Sequence, residues 1–264
     1  MSCLSVKGIC AGYGKQKVLE NISFDLDAGT VMGIIGANGS GKTTLLKSLC
    51  GILPHQGICT LDSAVLEKLP PKQLAKVVSY IPQRSGISID ISALDVVLMG
   101  FNPRLGLLEN PTGQMKEAAL RALAQVGLAG REETNYLHLS EGQKQLCILA
   151  RTLVSRSKLL LLDEPESALD FRFRHQMLSL LHSWVASGEC SALVTLHDPA
   201  LALNFCDTLL LLSDGRILDI LRPRSDSLDK MEQMLSMVYG SISLQRCYNR
   251  KAEPQIVMLR EDAL

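Results

Sequence analysis

Apolar and polar residues alternate over residues 4–10, and again at Ile22, Phe24 and Leu26. Alternation gives a strand one buried and one wet face, so both segments are predicted to pair in an antiparallel sheet. Ala11-Gly12-Tyr13-Gly14 is predicted to be a loop between them, and Asp27-Ala28-Gly29 a turn. Val31-Met32-Gly33-Ile34-Ile35 does not alternate and reads as a buried strand. Residues 58–66 suggest a short hairpin, and residues 77–81 a further strand closed by Pro82. The texture then changes. Residues 84–113 are rich in Gly, Pro, Asn and Ser around one apolar helix-like run at 94–99. Met115, Ala118, Ala122 and Val126 follow at helical spacing and end at Gly127.

Four consecutive leucines, Leu159 to Leu162, mark a strand covered on both faces and hence parallel to its neighbours. Asp170 is placed to cap a helix from 171 to about 186, and residues 192–196 form the next strand. Asp198-Pro199 supplies an N-cap and a proline at the first helical position. Residues 209–212, Asp214-Gly215 and 217–221 form a hairpin pattern. A helix at 228–239 and short strands near 241–245 and 255–259 complete the chain, with no internal repeat. The predicted class is α/β, with a mostly parallel sheet, an N-terminal antiparallel β subdomain and an inserted helical subdomain. One domain is expected over residues 1–264. Its core comprises 1–83 and 157–222, its helical part 84–156, and its C-terminal extension 223–264.

Composition narrows the partners. The chain has 264 residues, 47% of them hydrophobic and only 4% aromatic, which suits an α/β core built from aliphatic side chains. Its formal net charge is zero and no basic run occurs, so nucleic acid has no electrostatic support as a partner. A charged-then-apolar leader and an apolar run of about 18 residues are both missing, which predicts a soluble, cytosolic chain reaching a membrane only through a partner. The eight cysteines form no Cys-x-x-Cys pair and are expected to be reduced core thiols.

The chemistry begins at Gly36-Ala37-Asn38-Gly39-Ser40-Gly41-Lys42-Thr43, a glycine, four residues, then Gly-Lys-Thr. It lies between the buried strand and Thr44-Leu45-Leu46-Lys47-Ser48-Leu49-Cys50, in which Leu45 and Leu49 are one helical turn apart. Strand, glycine loop and helix make a phosphate cradle. Successive N–H groups turn inward, the helix N-terminus adds partial positive charge, Lys42 reaches the β- and γ-phosphates and the Thr43 hydroxyl ligates Mg²⁺. This loop alone admits GTPases and kinases as well as ATPases.

Asp163 and Glu164 end the leucine strand, where open parallel sheets gather their sites. An Asp there can bind Mg²⁺, and the Glu after it can polarise water. Leu139-Ser140-Glu141-Gly142-Gln143 reads locally as a capping box, Ser140 with Gln143, opening a helix with Leu146, Leu149 and Leu153 on one face. With Gly142 permitting close approach, it is a second anion-binding helix start, and one γ-phosphate does not obviously need both within one monomer.

Taken together, these elements resemble the nucleotide-binding subunit of ATP-binding cassette transporters. Gly36 to Thr43 matches the Walker A loop, and Leu159 to Asp163 with Glu164 matches Walker B and its catalytic glutamate. Leu139 to Gln143 matches the signature, usually Leu-Ser-Gly-Gly-Gln. Ser167-Ala168-Leu169-Asp170 matches the D-loop, Gln83 the Q-loop, His197 the switch histidine, and Tyr13 the ring that stacks on adenine. The resemblance runs from residue 4 to about 220.

It implies an ATPase that uses MgATP. Glu164 acts as general base, with His197 and Lys42 on the γ-phosphate. Thr43, Gln83 and Asp163 serve Mg²⁺. Tyr13, Gly36, Asn38, Gly39, Ser40, Gly41, Thr44 and Asp170 serve the nucleotide. It also implies a head-to-tail homodimer in which Ser140, Gly142 and Gln143 act in trans, a membrane permease, a solute-binding protein, and a place at the cytoplasmic face of the membrane. Glu141 in place of glycine, and Glu166 in place of the commoner Thr or Ser, depart from the pattern without removing a catalytic group. Tyr80-Ile81-Pro82-Gln83, Leu94-Asp95-Val96-Val97-Leu98-Met99-Gly100 and Asn102-Pro103 look like the branch importing iron–siderophore, haem, cobalamin and related chelates. An exporter or lipid-transport cassette and a soluble cassette ATPase remain as alternatives. Trp184 is expected in the core, and His55, His138, His175 and His182 at surface or packing positions.

Overall fold

A computed structural model describes residues 2–83, 86–106, 108–167 and 169–261. The chain opens with a long hairpin, β1 (Ser2–Tyr13) and β2 (Gln16–Asp27), in antiparallel register. The predicted loop at 11–14 is corrected: β1 runs through it, pairing Gly12 with Lys17 and Tyr13 with Gln16, and only Gly14 and Lys15 turn. Gly12 belongs in the strand because the partner backbone crowds it. A Cβ there would lie 2.0 Å from the Gln16 carbonyl oxygen.

β3 (Val31–Ile35) leads into α1 (Lys42–Leu49). The hairpin β4 (His55–Leu61) and β5 (Ala64–Val65) joins β1, so the first sheet runs β2-β1-β4-β5 and is antiparallel throughout. A helix that the pattern did not predict, α2 (Pro71–Val77), starts on its proline and shortens the next strand to β6 (Val78–Ile81). Then come α3 (Ala93–Leu98), α4 (Gly113–Gln125) and α5 (Glu141–Ser155), which pack on one another through Leu94, Val97, Ala119, Leu123, Leu146 and Leu149. Gly100, after α3, fits because the α5 backbone is close: a Cβ would meet the Arg151 carbonyl oxygen at 2.2 Å.

The remaining elements are β7 (Leu159–Asp163), α6 (Phe171–Ala186), β8 (Ser191–Thr195), α7 (Pro199–Phe205), β9 (Thr208–Ser213), β10 (Arg216–Leu221), α8 (Leu228–Tyr239), β11 (Ile242–Tyr248) and β12 (Pro254–Arg260). The central sheet runs β10-β9-β3-β8-β7-β6, parallel except for β10. Its strands explain the leucine run. Leu160 and Leu162 enter one core beside α5 and α6, whereas Leu159 and Leu161 enter a second core beside α1 and the antiparallel sheet. Both faces are dry, so period-2 geometry demands an apolar residue at every position. Truncating any one of the four to alanine costs about 2–5 kcal/mol. β11 and β12 form a two-stranded sheet, longer than predicted, beside α8 and α7. Trp184 is half-buried at the edge of the core rather than inside it. All eight cysteines are free thiols.

Candidate nucleotide site

The site is assembled at the carboxyl ends of adjacent parallel strands. The register pairs Ile34 with Thr195, Thr195 with Asp163, and Leu162 with Ile81. The glycine loop after β3, Asp163-Glu164 after β7, His197 after β8 and Gln83 after β6 therefore emerge side by side. This is the edge at which open α/β sheets bind ligands.

In the loop, Gly39 and Gly41 adopt left-handed φ values of 81° and 107°. Gly36 is needed for space: a Cβ there would lie 2.1 Å from the Leu212 carbonyl oxygen and 2.8 Å from Ser40 Oγ. Gly41 occupies the N-cap of α1 and no side chain caps that helix, so its first N–H groups face an anion site without competition. Ser40 Oγ is buried with no hydrogen-bond partner, an orphan of the kind a phosphate oxygen satisfies. Lys42 is buried, with Nζ donating to the Gly36 and Ala37 carbonyls at 2.9 and 3.2 Å. Burial pulls its ammonium below the ordinary lysine range, opposed by the charges of Glu164 and Asp163. Asn38 is exposed at the tip, and Thr44 is buried in α1 with its carbonyl accepting from Ser48.

Three hydroxyls hold Asp163. Thr43 Oγ1 and Thr195 Oγ1 donate to Oδ1 at 2.9 and 3.0 Å, and Tyr80 donates to Oδ2 at 3.1 Å. Thr43 and Asp163 thus form a pair of hard oxygen donors suited to Mg²⁺. Glu164 follows with a left-handed φ of 45°, and its N–H donates to Thr195 Oγ1 at 2.7 Å. Its carboxylate accepts from Gln83 Nε2 at 2.8 Å and lies 3.7 Å from His197 Nε2. Gln83 is also tied to α5, because its carbonyl accepts from Gln145 Nε2. Glu166 is buried under His197. Oε1 accepts from the His197 N–H at 3.0 Å, Oε2 has no partner, and burial raises its carboxyl above the ordinary carboxylate range.

The polar groups of the signature are turned onto one another. Ser140 Oγ accepts from the Gln143 N–H while Gln143 Oε1 accepts from the Ser140 N–H, a complete capping box. Gly142 lies against the Phe173 ring, 2.9 Å from where a Cβ would stand. The Glu141 carboxylate is taken up by Lys144 at 2.8 Å. Asp170 caps α6 through the Phe173 N–H, and Tyr13 is half-exposed at the end of β1. Ala168 of the predicted D-loop lies outside the described residues.

Predicted residues Lys42, Thr43, Asp163, Glu164, Gln83 and His197 are thus brought together. Among the described residues, Tyr13, Ser140, Gly142, Gln143 and Asp170 make no hydrogen bond to that group. Thr195, Tyr80 and Glu166 were not predicted as site residues. For Thr195 the available signal was a polar residue ending an apolar strand, and its meaning depends on the register.

Known proteins place the chain in a family. The profile of the ABC transporter family matches residues 19–167. A probable iron chelatin transport ATP-binding protein of Helicobacter pylori is 34% identical over 216 residues, which is 81% of this chain and 85% of that relative. The hemin import ATP-binding protein HmuV of Vibrio cholerae is 30% identical over 264 residues, covering 97% of this chain and 99% of its own. Among solved structures, an inward-facing metal-chelate type ABC transporter superposes with a TM-score of 0.83 at 27% identity, covering 99% of both chains. An uncapped phosphate cradle, a hydroxyl-bound aspartate, a neighbouring glutamate and these relatives lead to one conclusion: the chain belongs to the ABC transporter family and is an ATP-binding ATPase.

Proposed function

We propose that this chain powers import of a metal chelate, such as iron–siderophore, haem or cobalamin, through a separate permease supplied by a solute-binding protein. Support for the substrate class comes from the names of the H. pylori and V. cholerae relatives and of the structural neighbour. The observation that carries the catalytic reading is the placement of Glu164, whose carboxylate lies between Gln83 and His197 on a backbone pinned by Thr195.

In this reading Tyr13 stacks on adenine, and the loop from Gly36 through Asn38, Gly39, Ser40 and Gly41 to Thr44 wraps the phosphates. Lys42 leaves the Gly36 and Ala37 carbonyls for the β- and γ-phosphates. Thr43, Asp163 and Gln83 hold Mg²⁺, which when bound offsets phosphate charge. Glu164 orients water and takes its proton, and His197 contacts the γ-phosphate. Positioning and charge stabilisation are what phosphoryl transfer requires.

Two chains pack head to tail, so that Ser140, Gly142, Gln143 and Asp170 of one complete the site of the other, as twofold symmetry allows. Segment 84–156 carries the signature as a helical unit tied to the site by the Gln83–Gln145 hydrogen bond. Among the described residues no helix is long and apolar enough to cross a membrane. In this reading the chain works at the cytoplasmic face of the membrane, against its permease. A cavity of about 660 Å³ offers a seat for an apolar permease helix. Leu49, Ile52, Leu53, Leu74 and Tyr80 line it, and the Tyr80 hydroxyl reaches Asp163.

The Glu164→Gln variant tests the reading. It is expected to bind ATP, hydrolyse it at under about 1% of the normal rate and accumulate as an ATP-bound dimer in size-exclusion chromatography. Normal turnover in that variant would remove Glu164 as the base.

A further inference from the structure

We infer that His55, Cys59 and Glu67 form a binding site for a borderline divalent transition metal, represented by Zn²⁺, separate from the Mg²⁺ site. One ligand atom of each residue, nitrogen, sulfur and oxygen, lies within 4.8 Å of the other two. A straight strand would hold residues 55 and 59 about 13 Å apart. Here β4 is irregular opposite Lys7 and Cys10, and Gly57 within it has φ 98°. Only glycine fits at that bend, because a Cβ would meet the Gly8 carbonyl oxygen at 2.6 Å. The bend brings both side chains toward the 3₁₀ turn Leu66–Lys68, which carries Glu67.

The local hydrogen bonds preset the ligands. His55 Nδ1 lies 3.2 Å from the Gln56 carbonyl oxygen, to which it donates in the tautomer that leaves the Nε2 lone pair free. That Nε2 faces Glu67 Oε1 at 3.6 Å. The same Oε1 is anchored by the Cys59 N–H at 2.7 Å. In that tautomer the Nε2 lone pair and the Glu67 carboxylate oxygen face each other as two donors, an arrangement that a cation between them completes.

Tetrahedral zinc with bonds of about 2.0–2.3 Å separates its ligands by about 3.3–3.7 Å, so only a small approach of the sulfur is required. The His55 side chain is 8% exposed and Cys59 is buried, whereas Glu67 faces the groove and leaves a side for a fourth ligand from solvent. Coordination replaces the Cys59 S–H bond by a sulfur–metal bond and releases the proton to water. The nitrogen–sulfur–oxygen set excludes Mg²⁺, which takes oxygen ligands. Occupancy clamps the 3₁₀ turn to β4 on the rim of the groove lined by Leu53 and Leu69.

Titration of the full chain with Co²⁺ tests this inference, with Zn²⁺ as competitor and Mg²⁺ in excess. The expected result is one equivalent bound, with a near-ultraviolet thiolate-to-cobalt charge-transfer band that Zn²⁺ abolishes and Mg²⁺ does not. Cys59→Ser should lose the band, and Cys247→Ser, at an exposed cysteine, should keep it. His55→Gln and Glu67→Gln leave the thiol in place and should weaken Zn²⁺ binding at least 10-fold, since even an outer-shell partner is worth about 10–100-fold. Circular dichroism checks that each variant is folded. A missing band in the wild-type chain overturns the inference, as does a band surviving Cys59→Ser or unchanged affinity in both glutamine variants. The trio is then a histidine–glutamate ion pair beside a core thiol.

Discussion

Replacing Thr195 by valine removes one oxygen and keeps the side chain's shape, so the effect reads a hydroxyl and not a cavity. Thr195 is fully buried; its hydroxyl donates to Asp163 and accepts the Glu164 N–H at 2.7 Å. The variant loses a hydrogen bond to a charged group, worth about 1.5–3 kcal/mol, and leaves a half-buried N–H without its acceptor, at about 1–3 kcal/mol. A net loss of about 3 kcal/mol lowers Tm by about 6–12 °C at this chain length. The larger effect is on turnover. Glu164 has a left-handed backbone at φ 45°, and the Thr195 bond is what its N–H makes there. Freed of that bond, the carboxylate drifts from Gln83 and His197, and a displacement near 1 Å lowers kcat on the order of 100-fold. ATP affinity, assigned in the proposed reading to the loop and Lys42, should change by less than about 3-fold, because the substitution removes no proposed phosphate contact. The measurements are Tm by calorimetry, ATP binding by equilibrium titration and kcat by phosphate release. Thr195→Ser keeps the hydroxyl and should retain kcat within about 3-fold. A folded Thr195→Val variant with wild-type kcat would refute the assignment of Thr195 as the residue that positions Glu164.

Three further outcomes are expected. Burial raises the Glu166 carboxyl above its unfolded value, so the folded chain binds the extra proton. The associated stability is complete below the ordinary carboxylate range and is lost as pH rises through the raised value. Glu166→Gln should therefore gain stability relative to wild type in urea melts as pH rises above the ordinary carboxylate range, and a difference independent of pH would exclude Glu166 as the titrating group. Ser140→Arg should abolish turnover while leaving nucleotide affinity of the isolated monomer within about 3-fold, since the polar groups of Ser140 and Gln143 are spent on each other within the capping box. A large affinity loss in the monomer would place Ser140 in its own chain's site. Gly36→Ala places a methyl 2.1 Å from the Leu212 carbonyl oxygen, so β9 or the loop must shift. ATP binding should fall at least 100-fold with Tm lowered by several degrees, and near-normal binding would show that the loop has room that its geometry denies.

The sequence by itself determined much of this protein, because the signals were local. Four leucines without polar relief suggested a strand dry on both sides, and the structure has that strand, ending at Asp163. The capping box at Ser140 is built from backbone and side chains three residues apart, so spacing alone specified it. Local signals misled where a partner strand overrode them: Gly12 reads as a turn residue until β2 crowds it into the ladder. The tertiary structure decided what depends on register. Thr195 is one polar residue in an apolar strand until β8 is threaded between β3 and β7, which places its hydroxyl between Asp163 and Glu164. Tyr80 and Glu166 acquire their roles in the same way, from residues 83 and 31 positions away in the chain. Hydrogen bonds across such separations leave no periodic trace in a sequence, because they are fixed by strand order and not by spacing.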